Sequence, residues 1–147
     1  MRFLKTIKVP AKLENLHACM SLVASCAENQ EFDSKRIGEI ELATEEALVN
    51  IFNYAYQESS GNVEISCFLD DNALRIEIVD FGVPFDMLKT RDPNLSENIE
   101  ERKIGGLGIF MIKKLMDDVK YKREAGKNIL TLIVRKTSNV QTLSPDG

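Results

Sequence analysis

Apolar and polar residues alternate through Phe3-Leu4-Lys5-Thr6-Ile7-Lys8-Val9, which predicts a half-buried opening strand stopped by Pro10, a residue that cannot donate to a ladder. From Leu13 to Asn29 the period lengthens: Leu16, Met20, Val23 and Ala27 recur at helical spacing, with Asn29 as the stop. A second helix, capped by Asp33 or Ser34, carries Ile37, Ile40, Ala47, Leu48, Ile51, Phe52 and Ala55 on one side and runs to the turn Ser59-Ser60-Gly61-Asn62. Period two then returns in Val63–Leu69 and Leu74–Val79, which flank Asp70-Asp71-Asn72 and read as an antiparallel hairpin. The stretch from Phe81 to about Ile104 holds Pro84, Pro93 and scattered charges with little periodicity, so it is expected to be a long loop. Gly105-Gly106-Leu107-Gly108 opens a third helix through Met116, and Val119–Arg123 with Asn128–Arg135 close the pattern as a hairpin across Glu124-Ala125-Gly126-Lys127.

No internal repeat interrupts this order. The expectation is an α+β fold, a two-layer α/β sandwich in which one mixed, mainly antiparallel sheet carries three helices on one face, because each helix has a single apolar stripe. A single domain over residues 1–136 and a polar, flexible tail over 137–147 follow from the same pattern. At 147 residues the chain can bury a stable core without staples.

Composition narrows the function classes. A net charge of -4 gives no general attraction to nucleic acid or anionic lipid, and no apolar run approaches the roughly 20 residues of a membrane span, so a cytoplasmic protein is expected. The three cysteines, Cys19, Cys26 and Cys67, form no CxxC pair and read as small buried thiols. One histidine, His17, leaves a His-based zinc site or a Ser/His/Asp triad without materials, and no Walker loop is present.

Opposite the apolar stripe of the second helix, Glu46, Asn50 and Asn53 sit at i, i+4 and i+7 and place an acid and two amides on one face. Asn is a mediocre residue for a helix interior, so two of them point to a ligand more than to a solvated face, although an indifferent wet face remains the alternative. Downstream, the hairpin delivers Asp80 to a strand end followed by Phe81-Gly82, and the glycine cluster opens a helix. Asp80-Phe81-Gly82 also spells the DFG of eukaryotic-type protein kinases, but no HRD-like loop precedes it, so that match is coincidental.

In order, spacing and context, these three features resemble the N, G1 and G2 boxes of the Bergerat-fold ATPase and kinase superfamily, which includes gyrase, heat-shock protein 90, MutL and histidine kinases. The resemblance spans about Asp33 to Arg135. It implies that Asp80 accepts a hydrogen bond from the adenine amino group, and that Gly82 removes a side chain that would block approach of the base. Gly105, Gly106 and Gly108 would let backbone N–H groups and a helix dipole face phosphate. Asn50 would offer a neutral oxygen to Mg²⁺ as metal ligand and nucleotide contact, and Glu46 would act as the general base. Asn53 is assigned to the polar network of the pocket, and the nucleotide-binding set extends to Pro84, Phe85, Leu107 and Thr131.

Within the superfamily, gyrase- and MutL-like proteins add a transducer domain, and histidine kinases add a phosphoacceptor hairpin; a chain of this length has room for neither. Asp80-Phe81-Gly82-Val83-Pro84-Phe85-Asp86 and Gly108-Ile109-Phe110-Met111-Ile112-Lys113-Lys114-Leu115-Met116-Asp117 are most similar to the anti-sigma factor serine kinases of the RsbW and SpoIIAB type, with Pro84 where the wider superfamily has glycine. That resemblance implies an ATP- and Mg²⁺-dependent protein-serine kinase. Its partners would be a STAS-domain anti-anti-sigma protein that it phosphorylates and a sigma factor or other output protein that it sequesters, and it would form a homodimer. Arg91, Arg102 and Lys103 in the lid are candidate contacts for phosphate or an acidic partner, with solvated loop charges as the alternative. A non-catalytic nucleotide-dependent binding module and a plain ATPase are the alternatives.

Overall fold

In the computed structural model, residues 1–56, 60–89 and 107–136 are described. Strand β1 (Arg2–Pro10) leads through a 3-10 turn at Leu13–Asn15 into α1 (Leu16–Asn29) and α2 (Ser34–Tyr54). The hairpin β2 (Asn62–Asp70) and β3 (Ala73–Asp80) follows, then a 3-10 turn at Met87–Lys89, α3 (Leu107–Leu115), and the closing hairpin β4 (Asp118–Glu124) and β5 (Lys127–Arg135). The five strands form one sheet in the order β1-β2-β3-β5-β4. The arrangement is α+β with the helices on one face, as the pattern predicts. The tail over 137–147, the lid cations Arg91, Arg102 and Lys103, and the glycines Gly105 and Gly106 lie outside the described residues.

The expected mixed sheet is corrected: every described neighbour pair is antiparallel. Strand β4 does run in the same direction as β3, as a crossover through a helix dictates. Strand β5 inserts between them and pairs antiparallel with both, because the two-residue turn after β4 folds the chain straight back. Ala125 and Gly126 hold that turn with φ of 53° and 77°, the left-handed pair that matches the twist of a tight hairpin. Asp71, at φ 55°, serves the β2–β3 turn in the same region of backbone space.

Period-two burial is clean on β3, where Leu74, Ile76, Ile78 and Asp80 face the helices. They meet Val23 and Cys26 of α1, Ile40, Leu48 and Ile51 of α2, and Ile112 of α3 in one core. The three cysteines are buried, as expected, and unbridged, and His17 is exposed.

Two capping arrangements place the helices. Asp33, one of the two predicted caps, accepts the Arg36 backbone N–H at 2.8 Å and starts α2. Arg36 then reaches across to the far end of α3, donating to the Leu115 carbonyl, one of the last-turn acceptors that a helix cannot satisfy internally, and pairing with Asp117 at 3.0 Å. Because Asp117 also accepts the Arg135 backbone N–H at 2.6 Å, this one guanidinium ties α2, α3 and β5 together. The beginning of α3 is thereby held against the middle of α2.

Candidate nucleotide site

Glu46 and Asn50 lie one turn apart on α2, on the side covered by α3. Periodicity puts them on a polar face, but tertiary packing encloses that face: Asn50 is buried and Glu46 half-buried. The Asn50 amide nitrogen donates to the Glu46 carbonyl at 2.9 Å, so its oxygen is the atom left to ligate or accept. Gly108, the second residue of α3, is where the two helices touch. A Cβ added there would stand 2.6 Å from Glu46 Oε1 and 3.5 Å from Asn50 Nδ2. The carboxylate of Glu46 thus sits at the N-terminal turn of α3, where exposed N–H groups favour negative charge.

That contact defines the use of Gly108. Since the clash falls on the far end of a flexible side chain, Gly108→Ala is expected to leave the fold intact and move the Glu46 carboxylate. Circular dichroism should be unchanged, while phosphoryl transfer falls by roughly 10-fold or more, because small misplacements of a reacting group are costly.

Asp80 ends β3 on the core-facing side and is 3% exposed. Its Oδ1 accepts the Gly82 N–H at 2.9 Å and an amide N–H of Asn128 at 2.9 Å. Past Asp80, the segment 81–89 crosses the end of the helical layer as a strap, and side chains from other elements hold its backbone. Arg123 donates to the Gly82 carbonyl at 2.8 Å, Asn128 donates to the Val83 carbonyl at 2.8 Å, and the Val83 N–H reaches the Ala55 carbonyl at 3.0 Å. Lys113 of α3 holds the far end through the Leu88 carbonyl at 3.1 Å.

The structure gives Gly82 a second reason beside the expected one. A Cβ at this position would meet the Ala55 carbonyl oxygen at 2.1 Å and the Ala55 Cβ at 2.8 Å. Glycine is required because the strap packs on the backbone at the end of α2, before any base is considered. Gly82→Ala should therefore destabilise the folded chain by about 2 kcal/mol, within the range of overpacking, with a matching fall in the urea midpoint.

Other expected contacts divide. Phe85 is half-buried in the strap, its N–H on Asn128 Oδ1 at 3.3 Å and its ring 6.0 Å from that of Tyr54. Pro84 is exposed and lines, with Tyr56, Val83 and Arg123, an open groove on the outer side of the strap. Leu107 opens α3. Asn53 points to solvent at the end of α2 and makes none of the described side-chain hydrogen bonds, so a role in the pocket network is not carried by this geometry. Thr131 is likewise not brought to Asp80. It pairs with Glu77 in register, three positions from Asp80 along β3, and an odd offset puts it on the opposite face of the sheet, where it is buried.

The residue that does meet Asp80 is Asn128, its direct partner in the β3–β5 register, buried on the core-facing side. It escaped the sequence reading, yet a signal exists: 128, 130, 132 and 134 form the apolar parity of β5, and Asn128 is the polar member of that row. Beside it, Tyr56 donates to the Asn62 carbonyl at 2.6 Å and accepts the Phe81 N–H at 2.7 Å, locking the start of β2 to the end of β3. Burial pushes its phenol above the usual tyrosine range, an effect that the Phe81 N–H partly offsets.

A two-layer domain with a carboxylate-amide helix set against a glycine-started helix, and a buried aspartate at a central strand end, has the architecture of an ATPase-type domain. The comparisons agree. Residues 9–134 match the histidine kinase-like ATPase domain family. Serine-protein kinase RsbW of Bacillus cereus is 32% identical over 145 residues, covering 96% of this chain and 89% of that protein. For serine-protein kinase RsbW of Oceanobacillus iheyensis the figures are 32% over 129 residues, 84% and 82%. A solved structure of the RsbU and RsbW domains of a Mycobacterium tuberculosis protein superposes with a TM-score of 0.61 at 17% identity, over 90% of this chain and 33% of that one, and shares the fold. The chain belongs to the histidine kinase-like ATPase domain family, in its RsbW-type serine-protein kinase branch.

Proposed function

We propose that this chain transfers the terminal phosphate of ATP to a serine of a STAS-domain anti-anti-sigma protein, with Glu46 as base. The observation that carries the reading is the contact of Glu46 and Asn50 with Gly108: the acid, the neutral amide and the helix start form a cradle that one added Cβ would fill. The donor set suits the groups implied. Asn50 supplies an uncharged hard oxygen of the kind Mg²⁺ accepts beside phosphate oxygens, and the start of α3 supplies N–H groups for the phosphates. Bound Mg²⁺ would supply charge neutralisation across the transferring phosphate.

On this reading Glu46 accepts the proton of the attacking serine hydroxyl, Asn50 orients the triphosphate end, and Asp80 recognises the base through the carboxylate oxygen that its neighbours leave uncommitted. The same kinase would hold a sigma factor or other output protein in one state and release it in another, would act as a homodimer, and would reside in the cytoplasm. No helix among the described residues is long and apolar enough to cross a membrane, in keeping with that location.

The test is incubation with Mg-ATP and a candidate STAS protein, read by intact mass. One added phosphate on the STAS protein supports the reading. ADP release without phosphate transfer to any STAS candidate would replace it with a plain ATPase.

A further inference from the structure

All four hydrogen-bonding positions of the Asn128 side chain are used. Its Nδ2 donates to Asp80 Oδ1 at 2.9 Å and to the Val83 carbonyl at 2.8 Å. Its Oδ1 accepts from the Phe85 N–H at 3.3 Å and from the Tyr121 hydroxyl at 2.5 Å. The orientation of the amide is dictated by these partners: a backbone N–H can only donate and a carbonyl can only accept, so a flipped amide would lose its bonds to both Val83 and Phe85. Tyr121, facing an acceptor, must donate. It reaches Asn128 from the diagonal position on β4, since Tyr121 pairs with Leu130 in register.

Asp80 is constrained in turn. Its Oδ1 already accepts from Gly82 and Asn128, so Oδ2 is the oxygen available to a ligand. A carboxylate without such a pin rotates broadly about its terminal torsion. The Asp80–Asn128 pair at its centre is buried, where an unpaired member is costly and a completed one is rigid. Its members come from β3, β4, β5 and the strap.

We propose that Asn128, locked by Tyr121, is a positioning residue for nucleotide recognition: it pins one oxygen of Asp80 so that the other meets an exocyclic amino group, which sets a preference for adenine over a 6-oxo purine. The inference rests on the nucleotide-site reading above. A 6-oxo purine presents a carbonyl where adenine presents an amino group, and a fixed carboxylate oxygen repels it. With that pin removed, Oδ1 keeps only the Gly82 N–H, so the carboxylate can tilt and share a water with either base. Discrimination then falls along with affinity.

The experiment measures the dissociation constants of ATP and GTP for the full chain, with kcat in parallel, for wild type, Tyr121→Phe and Asn128→Leu. Removing the Tyr121 hydroxyl should weaken ATP by about 3- to 10-fold, the range of one neutral hydrogen bond, while GTP and kcat change little. Asn128→Leu should weaken ATP by roughly 10- to 100-fold and bring the ATP-to-GTP ratio towards one, as expected when a bond to a charged acceptor is lost. An unchanged ratio in Tyr121→Phe overturns the proposal, whether or not the Asn128 variant folds. Failure of the wild type to bind either nucleotide overturns the site itself, an outcome distinct from normal wild-type binding with indifferent variants.

Discussion

Glu46→Gln is expected to lower phosphoryl transfer by roughly 10²- to 10⁴-fold, the usual contribution of a positioned general base, while nucleotide affinity stays within a few-fold of wild type. The substitution keeps the size of the side chain and its contact with Gly108, and removes only the ability to take a proton. On a free-energy scale the loss corresponds to about 3–5 kcal/mol of transition-state stabilisation. Because the carboxylate stands at the N-terminal turn of α3, neutralising it also removes a negative charge from the place where phosphate would bind. Ground-state binding of ATP should hold or tighten slightly, so that kcat falls without a rise in KM. Single-turnover transfer to the STAS substrate measures this directly. Transfer at the wild-type rate would remove Glu46 from catalysis and shift attention to the partner for the base.

Asp80→Asn should reduce ATP affinity by roughly 10- to 100-fold, as expected when an acceptor with formal charge is lost from a hydrogen bond worth about 1.5–3 kcal/mol. The geometry sharpens the expectation. Oδ1 is engaged by the Gly82 N–H and by Asn128, so the variant amide must keep its oxygen there and place its nitrogen where Oδ2 stood. A donor then faces the adenine amino group, itself a donor, and the pair repels. A purine carrying a carbonyl at that position should lose little or gain. Titration with both nucleotides tests the assignment, and equal ATP affinity in wild type and variant would exclude Asp80 as the base contact.

Much of the fold was legible because its signals are local. Alternation along Leu74–Val79 marked β3, the Ala125-Gly126 pair marked the tight closing turn, and Asp33 stood ready as a cap. The glycine-started helix and the Glu46-Asn50 spacing were legible for the same reason, since i and i+4 on a helix always share a face. What the chain left open was non-local. Thr131 and Asn128 both lie on β5, and only the register against β3 decides that Asn128 meets Asp80 while Thr131 faces away. Asn53 continues the polar stripe of α2 by one further turn and is exposed at its end.

Gly82 makes the same distinction at one residue. A glycine after a strand-end aspartate can be read from the chain as room for a ligand. A further requirement is set by the Ala55 carbonyl, a neighbour 27 positions away that no pattern along the chain names. By itself, the sequence determined the order of elements, the three-helix, five-strand composition, and the acid, amide, aspartate and glycine that make an ATPase-type site, because each of these follows from periodicity and residue chemistry within a few turns. The tertiary structure alone decided the all-antiparallel order with β5 inserted beside β3, the burial of Asn50 under α3, and the Tyr121-Asn128-Asp80 network. Those depend on which elements become neighbours in space, and packing selects them only once the whole sheet has formed.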